Sequence, residues 1–191
     1  TDDTTDLLAT GLPSIPGCRS VRVEINQGYG FGILAGLRAA QGDVLGWTHA
    51  DLQTDPGDAL EALELFRQYG PNLFVKGRRR GRPLADVFFT VGMSVFESLL
   101  LGQGLWDINA QPTLFARAFF ETWAGPPHDF ALDLYAYHLA VSRRIPVRRF
   151  PVRFGRRAHG VSHWNVNWPA KARFIRRTLA FSLDLRRSMR R

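Results

Sequence analysis

The sequence predicts a mixed α/β domain with a mostly parallel sheet. Short apolar runs alternate along the chain with longer segments that carry helical patterns and end at glycine or proline. The 191 residues, 45% of them hydrophobic and 22% charged, are enough for one domain with a substantial core. One apolar run, Val44–Trp47, ends abruptly in polar residues, and open α/β sheets place their ligands at such strand ends.

Local patterns set the individual elements. Alternation of Val21, Val23 and Ile25 with charged residues predicts a half-buried strand, and a glycine-rich turn then opens a helix. Pro56, followed by acidic residues, is typical of a helix start. The predicted strands are residues 20–25, 44–47, 73–75, 113–115 and 145–154. The predicted helices are residues 6–11, 33–40, 56–69, 87–101, 130–143 and 169–191.

The polar cluster after residue 47 is the first candidate site. His49, Asp51 and Gln53 alternate with apolar residues, so an extended chain would send all three side chains the same way. A carboxylate, an amide oxygen and an imidazole together suit Mg²⁺ or Mn²⁺ that keeps open positions for substrate phosphates. The alternative is a surface turn in which Thr54 or Asp55 caps the next helix.

The glycine-rich turn is the second candidate. A strand, then Gly28, Gly30 and Gly32, then a helix suggest a dinucleotide site of a nicotinamide or flavin enzyme, where glycines let the backbone approach a pyrophosphate. The spacing departs from G-x-G-x-x-G, which makes this the weaker alternative.

The charge balance favours anionic partners. Net charge is +8 and the isoelectric point is about 10.7, a balance that suits diphosphates, acidic lipid surfaces or nucleic acid, or leaves a solvated basic face. Five cations fall within residues 76–82, but no aromatic residues are interleaved for base stacking, so no nucleic acid is expected as a partner. The single cysteine, Cys18, excludes an internal disulfide and suits a reducing compartment. We expect a cytoplasmic location.

Residues 49–56, His-Ala-Asp-Leu-Gln-Thr-Asp-Pro, resemble the D-A-D-L-Q-H-x-P signature of family 2 glycosyltransferases, closest to the polyprenol-phosphate, dolichol-phosphate mannose synthase-like branch. The resemblance implies a GT-A fold with Rossmann-like nucleotide-binding topology over residues 1–168. The family's first strand, first helix and second strand would lie before residue 1. It implies inverting transfer of a sugar from a nucleoside-diphosphate sugar to a lipid-phosphate or glycan acceptor in envelope polysaccharide or glycolipid synthesis. Asp51 and Gln53 match metal-binding positions, and His49 replaces the usual first aspartate.

Other segments extend the resemblance. Residues 1–6 resemble a D-D-G-S-x-D element that contacts the nucleoside, and residues 26–43 follow the family's N-x-G-x-G pattern. Residues 75–79 resemble V-x-G-S-R, whose arginine lies near the donor phosphates, and residues 157–162 resemble R-x-x-G-x-S, a loop over the diphosphate. The positions so assigned to the nucleotide sugar are Asp2, Asp3, Asn26, Gly30, Asp51, Arg78, Arg157 and Ser162.

Residues 107–115 resemble the family segment that borders the acceptor. The resemblance gives Asp107 a catalytic or acceptor-orienting role, and Asn109 and Gln111 contacts with sugar hydroxyls. Asp133, or Asp129 one turn earlier, is a second candidate base, with stabilisation of the helix N-terminus as the alternative.

Two questions stay open at the level of sequence. The basic amphipathic helix over residues 169–191 can pack on the domain or lie on an anionic membrane surface, which would make the protein peripheral at the inner face of the membrane. The rival function is a catalytically degenerate basic module that binds nucleic acid or anionic membrane. A zinc site built from His49, His159 and His163 is a third, weaker alternative.

Overall fold

The structure, a computed structural model, describes residues 3–155 and 168–188. Helices and strands alternate along these residues, with a short 3₁₀ turn at Leu12–Ser14. The helices are α1 Thr4–Gly11, α2 Tyr29–Ala39, α3 Asp58–Tyr69, α4 Leu84–Leu101, α5 Arg117–Phe120, α6 Ala131–Ser142 and α7 Trp168–Ser188. The strands are β1 Val44–Trp47, β2 Phe74–Arg80, β3 Thr113–Ala116 and β4 Val147–Arg153.

The four strands form one sheet in the order β1-β3-β2-β4. β3 runs antiparallel to both β1 and β2, whereas β2 and β4 are parallel. Three of the four strands, β1, β2 and β4, therefore point the same way, and their carboxyl ends share one edge of the sheet. This confirms the predicted mixed α/β class with a mostly parallel sheet, and it is consistent with a GT-A-like fold.

The sheet buries apolar side chains on both faces. On one face Phe74 of β2 stacks between Phe115 and Tyr137, with centroid distances of 5.9 Å to each. On the other face Val75 of β2 packs with Phe66 of α3 and the strand residue Val152. Alternate residues of β2 thus serve opposite cores, as the two-residue period of a strand requires.

Two predicted elements differ from the structure. Residues 20–25 form no strand, and Val21 and Ile25 are 46% and 74% exposed. Within the described residues no other strand lies beside this segment, and an unpaired strand cannot satisfy its backbone groups. Conversely, β2 continues through Arg80, beyond the predicted strand of residues 73–75, because β4 pairs with it as far as Arg153.

Helix α7 packs on the domain. Phe181 and Leu185 are half-buried against the core, and the buried Ser182 hydroxyl donates to Glu97 Oε1 of α4 at 2.7 Å. The apolar face that the sequence offered for a membrane is thus largely used by the fold. In the described ranges, no helix is long and apolar enough to cross a membrane.

Candidate functional site

The carboxyl ends of β1, β2 and β4 meet around one aromatic ring. The Phe154 ring follows β4 and contacts the His49 imidazole, 5.7 Å between centroids, from the loop after β1. The Arg79 guanidinium of β2 lies over the same ring, 5.3 Å from its centroid. The backbone N–H of Phe154 donates to Arg80 O at 2.9 Å, which holds the backbone of Phe154 against the end of β2. Three strand ends therefore form one polar edge, the usual place for a ligand in an α/β sheet.

The loop after β1 is bent, so the prediction of an extended chain with three side chains on the same side is wrong. Leu52 has a left-handed backbone with φ of 57°, and the Gln53 N–H donates to Asp51 Oδ1 at 3.2 Å in a local turn. Gly155 N donates to Gln53 O at 2.7 Å, which ties the loop to the end of β4. Asp55 Oδ1 accepts from Gly57 N at 2.8 Å in a turn before α3, but the N-cap of α3 is Gly57 and no side chain caps this helix, so the capping alternative is not confirmed.

The residues of this loop fit a metal ion that is coordinated partly by the substrate better than one coordinated by protein side chains alone. Among the described residues, no group of three or more His, Cys, Asp and Glu side chains is arranged to hold a metal ion. The Gln53 amide nitrogen donates to Gly155 O at 3.3 Å, which directs the donor role to nitrogen and leaves its oxygen as the atom for a cation. One carboxylate with neutral donors suits Mg²⁺ or Mn²⁺ completed by substrate phosphates.

Beside this loop, the Asp107 carboxylate pairs with two arginines. Asp107 is buried, with a left-handed φ of 47°, and its carboxylate accepts from the Arg79 backbone N–H at 3.1 Å, from Arg79 Nε at 2.9 Å and from Arg79 Nη2. Arg82 Nη2 lies 3.6 Å from the same Oδ1 atom. Burial alone would raise the pKa of Asp107, but the two guanidiniums outweigh it and the pKa is lowered. Asp107 is therefore an ionised anchor for cations.

The arginine in this pair is Arg79, not the predicted Arg78. Arg78 is exposed, and the described structure gives it no ion pair, whereas Arg79 is half-buried and bound to Asp107. Counted from Val75, the fifth position of V-x-G-S-R is Arg79, so the motif spacing favours Arg79 over Arg78. Arg149 of β4 braces the same loop by donating to Gly77 O at 2.8 Å and to Asp107 O at 3.3 Å.

Asp133, the second predicted base, lies in the interior. Its carboxylate accepts from the Tyr29 hydroxyl at 3.1 Å and lies 3.9 Å from the buried Lys76 ammonium. Burial raises the pKa of Asp133 despite Lys76, and burial lowers the pKa of Lys76 to about 8. Lys76 also donates to Thr113 Oγ1 at 2.9 Å. With 1% exposure, Asp133 cannot meet an acceptor without rearrangement.

The predicted acceptor residues lie in different environments. Gln111 is buried, and its amide nitrogen donates to the Tyr29 hydroxyl at 2.6 Å, so it joins the interior network and does not face a sugar. Asn109 is half-buried in the same loop. Asp129, the alternative acid, accepts from Ala131 N at 3.0 Å through Oδ1 in the turn before α6, whose N-cap is Phe130.

The glycine-rich turn contacts protein backbone. A side chain at Gly30 would meet Pro127 O and Asp129 O at 2.7 Å each, and one at Gly28 would meet His128 O at 2.6 Å. Asn26 Oδ1 accepts from Gly28 N at 2.9 Å. Gly30 therefore allows the turn before α6 to approach α2, and this packing removes the basis for its predicted contact with the nucleotide sugar.

Several predicted positions have other placements. Asp3 is exposed at the start of α1. Asp2, Arg157 and Ser162, like His159 and His163, lie outside the described residues. The sequence predicted Arg82 only as one of several surplus arginines that contact phosphate or a membrane surface, and it did not single out Arg149 and Phe154. The arginines carried a signal, since both stand at strand ends or in strands among other cations, but no sequence pattern singles out Phe154.

Comparison with known families supplies the class of protein. The model of the family described as Glycosyl transferase family 2 matches residues 1–116, more than half of the chain. The match spans the loop after β1, β2 and the Asp107 loop. Neither curated proteins nor solved structures gave a significant match. The chain therefore belongs to glycosyl transferase family 2 and is a glycosyltransferase, an enzyme that uses a nucleotide-sugar donor and an acceptor.

Proposed function

We propose that this enzyme is a metal-dependent, inverting glycosyltransferase of the polyprenol-phosphate branch. It transfers a sugar from a nucleoside-diphosphate sugar to a lipid-phosphate acceptor in envelope polysaccharide or glycolipid synthesis at the inner face of the membrane. The observation that carries the proposal is the convergence of His49 and Arg79 on the Phe154 ring. This contact joins a loop with oxygen donors to a cluster of ordered arginines at one sheet edge.

The donor diphosphate suits the space between these two groups. Asp51, Gln53 and His49 would hold Mg²⁺ or Mn²⁺, which when bound neutralises phosphate charge as a Lewis acid. Arg79 and Arg82 share the single negative charge of Asp107, so the cluster keeps a net positive charge for an anion. Arg157 and Ser162 are proposed to add donor contacts.

In the reaction, an acceptor oxygen attacks the anomeric carbon opposite the diphosphate. The bond from that carbon to the diphosphate oxygen breaks, and the nucleoside diphosphate leaves with the electron pair. Guanidiniums held before the reaction stabilise the charge that develops on the leaving oxygen without rearranging. Asp107 acts here as a positioning residue, because it accepts two hydrogen bonds from the guanidinium of Arg79 and one from its backbone N–H.

The state of the two acids favours an acceptor that is already anionic. A hydroxyl acceptor needs a base within hydrogen-bond reach and with a pKa near the working pH. Asp107 has a lowered pKa and two cationic partners, and Asp133 is buried beside Lys76. A phosphate acceptor needs neither acid as a base. Its charge also matches the surplus of arginine at this edge, so we favour it over a glycan hydroxyl.

A calorimetric titration with Mn²⁺ and with UDP or GDP tests the proposal. We expect nucleotide binding that requires the metal. Asp51→Ala should abolish it and His49→Ala only weaken it, because a hard divalent ion needs an anionic oxygen more than an imidazole.

Undiminished metal-dependent binding by Asp51→Ala would contradict the metal assignment. Binding that ignores metal and falls steeply with salt would instead indicate a basic module for generic polyanions. Melting temperatures of both variants, compared with the parent chain, serve as the control for folding.

A further inference from the structure

The parallel strands β2 and β4 continue past the core of the domain, and one face of this extension carries arginines. Every second residue of a strand points to the same face, and paired residues of neighbouring strands share a face. Arg78 and Arg80 of β2 therefore lie on one face together with their partners in β4, Pro151 and Arg153. We call the patch formed by these four residues the arginine face.

The arginine face is the exposed continuation of a buried surface. Nearer the start of β2, the same face carries Phe74 and Lys76, which are fully buried, whereas the three arginines further along are all exposed. Arg79 points to the opposite face, where its guanidinium lies over the Phe154 ring. The arginine face is therefore separate from the Arg79 cluster that we propose for the donor diphosphate.

The positive charge of the arginine face is not balanced by acidic side chains. Residues 76–82 and 147–157 contain no aspartate or glutamate, and among the described residues none of the three arginines forms an ion pair. The Asp107 carboxylate already serves Arg79 and Arg82. Arg80 and Arg153 are direct partners across the strands, and like charges in that position are destabilising. An anion from solution would offset this repulsion.

Arg149 adds a fixed cation at the inner end of the arginine face. It lies on the same face of β4, and its guanidinium donates to Gly77 O at 2.8 Å and to Asp107 O at 3.3 Å. Burial lowers the pKa of Arg149, and the neighbouring charges of Arg79 and Arg78 add to this effect. The effect of Arg78 on Arg149 means that the two guanidiniums lie close enough to repel each other.

We propose that the arginine face is a second anion site and that it binds a phosphate monoester group. Neighbouring strands lie about 4.8 Å apart, and residues two positions apart on a strand are separated by about 6.6 Å, so three arginine side chains can reach one group. A phosphate monoester carries a charge of about −1.5 to −2 and three acceptor oxygens. It therefore matches three guanidiniums better than a carboxylate or a phosphodiester. A soluble compound and a lipid can both supply this group.

The small size of the arginine face favours a single phosphate group over a nucleic acid. Surfaces that bind single strands follow several successive phosphates and stack bases on aromatic side chains. The arginine face has three arginines and Pro151, and no aromatic residue lies within residues 76–82. The aromatic residues at the end of β4 belong to the opposite face, where Phe150 packs in the core and Phe154 contacts Arg79.

Protection from an arginine reagent locates the site. The full chain is treated with phenylglyoxal, without metal or nucleotide, and the modification of each arginine is measured by peptide mass spectrometry. The two probes are phenyl phosphate, a soluble monoester, and phosphatidylcholine vesicles that contain phosphatidic acid, a lipid monoester. We expect at least one probe to protect Arg80 and Arg153 about fivefold or more, while Arg176 and Arg177, exposed on α7, are protected less than about twofold. The probe that protects identifies the source of the phosphate.

Two double variants with the same loss of charge complete the test. Arg80→Gln/Arg153→Gln should lower the affinity for the protecting probe at least about tenfold, because charge-assisted hydrogen bonds are lost. Arg176→Gln/Arg177→Gln should change it less than about twofold. Equal losses in the two variants, or protection of Arg80 and Arg153 by neither probe, overturn the proposal. Equal protection by phosphatidylglycerol vesicles also overturns it, because a diester would then suffice. The assay contains no metal or nucleotide, so its outcome is independent of the proposed transfer activity.

Discussion

Asp107 and Asp133 show how the neighbours of a buried carboxylate decide its role. Burial alone would raise the pKa of both acids. At Asp107 the nearby Arg79 and Arg82 guanidiniums reverse this effect, so the acid stays ionised and contributes stability that is lost only as pH falls through its lowered pKa. At Asp133 one ammonium 3.9 Å away does not, and the pKa remains raised. The first acid therefore orients cations at the surface edge, and the second belongs to the interior.

Arg79→Gln and its neighbour Arg78→Gln form a matched pair of variants. Arg79→Gln leaves the buried Asp107 carboxylate with Arg82 as its remaining ion partner, so we expect a loss of about 3 kcal/mol in the free energy of unfolding and a loss of nucleotide affinity. The exposed Arg78 should cost less than about 0.5 kcal/mol. Urea unfolding and nucleotide titration measure both effects. A larger loss in Arg78→Gln would restore the original assignment of the phosphate-binding arginine.

Lys76 predicts an unusual dependence of stability on pH. Burial lowers its pKa from 10.5 to about 8, so between these values the folded chain binds fewer protons than the unfolded chain. Stability from this group therefore rises as pH rises through that window, by up to about 3 kcal/mol. We expect the difference in unfolding free energy between the parent and Lys76→Met to grow in favour of the parent from pH 8 to pH 10. Parallel pH profiles for the two proteins would contradict the lowered pKa.

At the scale of elements, local patterns predicted most helices and strands but not their tertiary partners. The run Val44–Trp47 was predicted with its bounds, and residues 87–101 and 113–115 lie within α4 and β3. The strand predicted from the alternation at 20–25 does not form, because a strand also needs a neighbouring strand to pair with. The loop after β1 is not extended as predicted, because the backbone of Leu52 is left-handed. A leucine in the sequence gives no sign of this conformation. The pairing of Arg79 with Asp107, 28 residues apart, depends on the folded sheet and has no local sign.

Two glycines of helix α2 separate packing from helix propensity. A methyl group at Gly30 would lie 2.7 Å from Pro127 O and Asp129 O, whereas one at Gly36 meets nothing within 4 Å. Gly30→Ala should therefore destabilise the protein by about 2 kcal/mol or more, by overpacking. Gly36→Ala should be neutral or gain up to about 1 kcal/mol from helix propensity. Thermal unfolding of both variants measures this, and equal effects would show that the turn before α6 can move away.

At the scale of the whole molecule, helix α4 supports both the polar edge of the sheet and helix α7. Ser94 of α4 holds the backbone of Asp107, and Asp107 holds Arg79. Glu97, one turn further along the same helix, holds Ser182 of α7. Burial raises the pKa of Glu97, partly offset by that hydrogen bond. The candidate site and the basic helix therefore share α4 as a support, and α7 is part of the fold that positions the site.

Removal of α7 tests this view of the molecule. A chain that ends at residue 167 loses Phe181 and Leu185 from the core and leaves Glu97 without Ser182, so we expect a loss of about 4 kcal/mol or more, or failure to fold. Phe181→Ala should cost about 2–3 kcal/mol, while its neighbour Leu183→Ala, at an exposed position, should cost less than about 0.5 kcal/mol. Urea unfolding of the three variants gives these values. If the shortened chain unfolds at the same urea concentration as the parent, α7 is not part of the core, because a helix that contributes to the core cannot be removed without cost in stability.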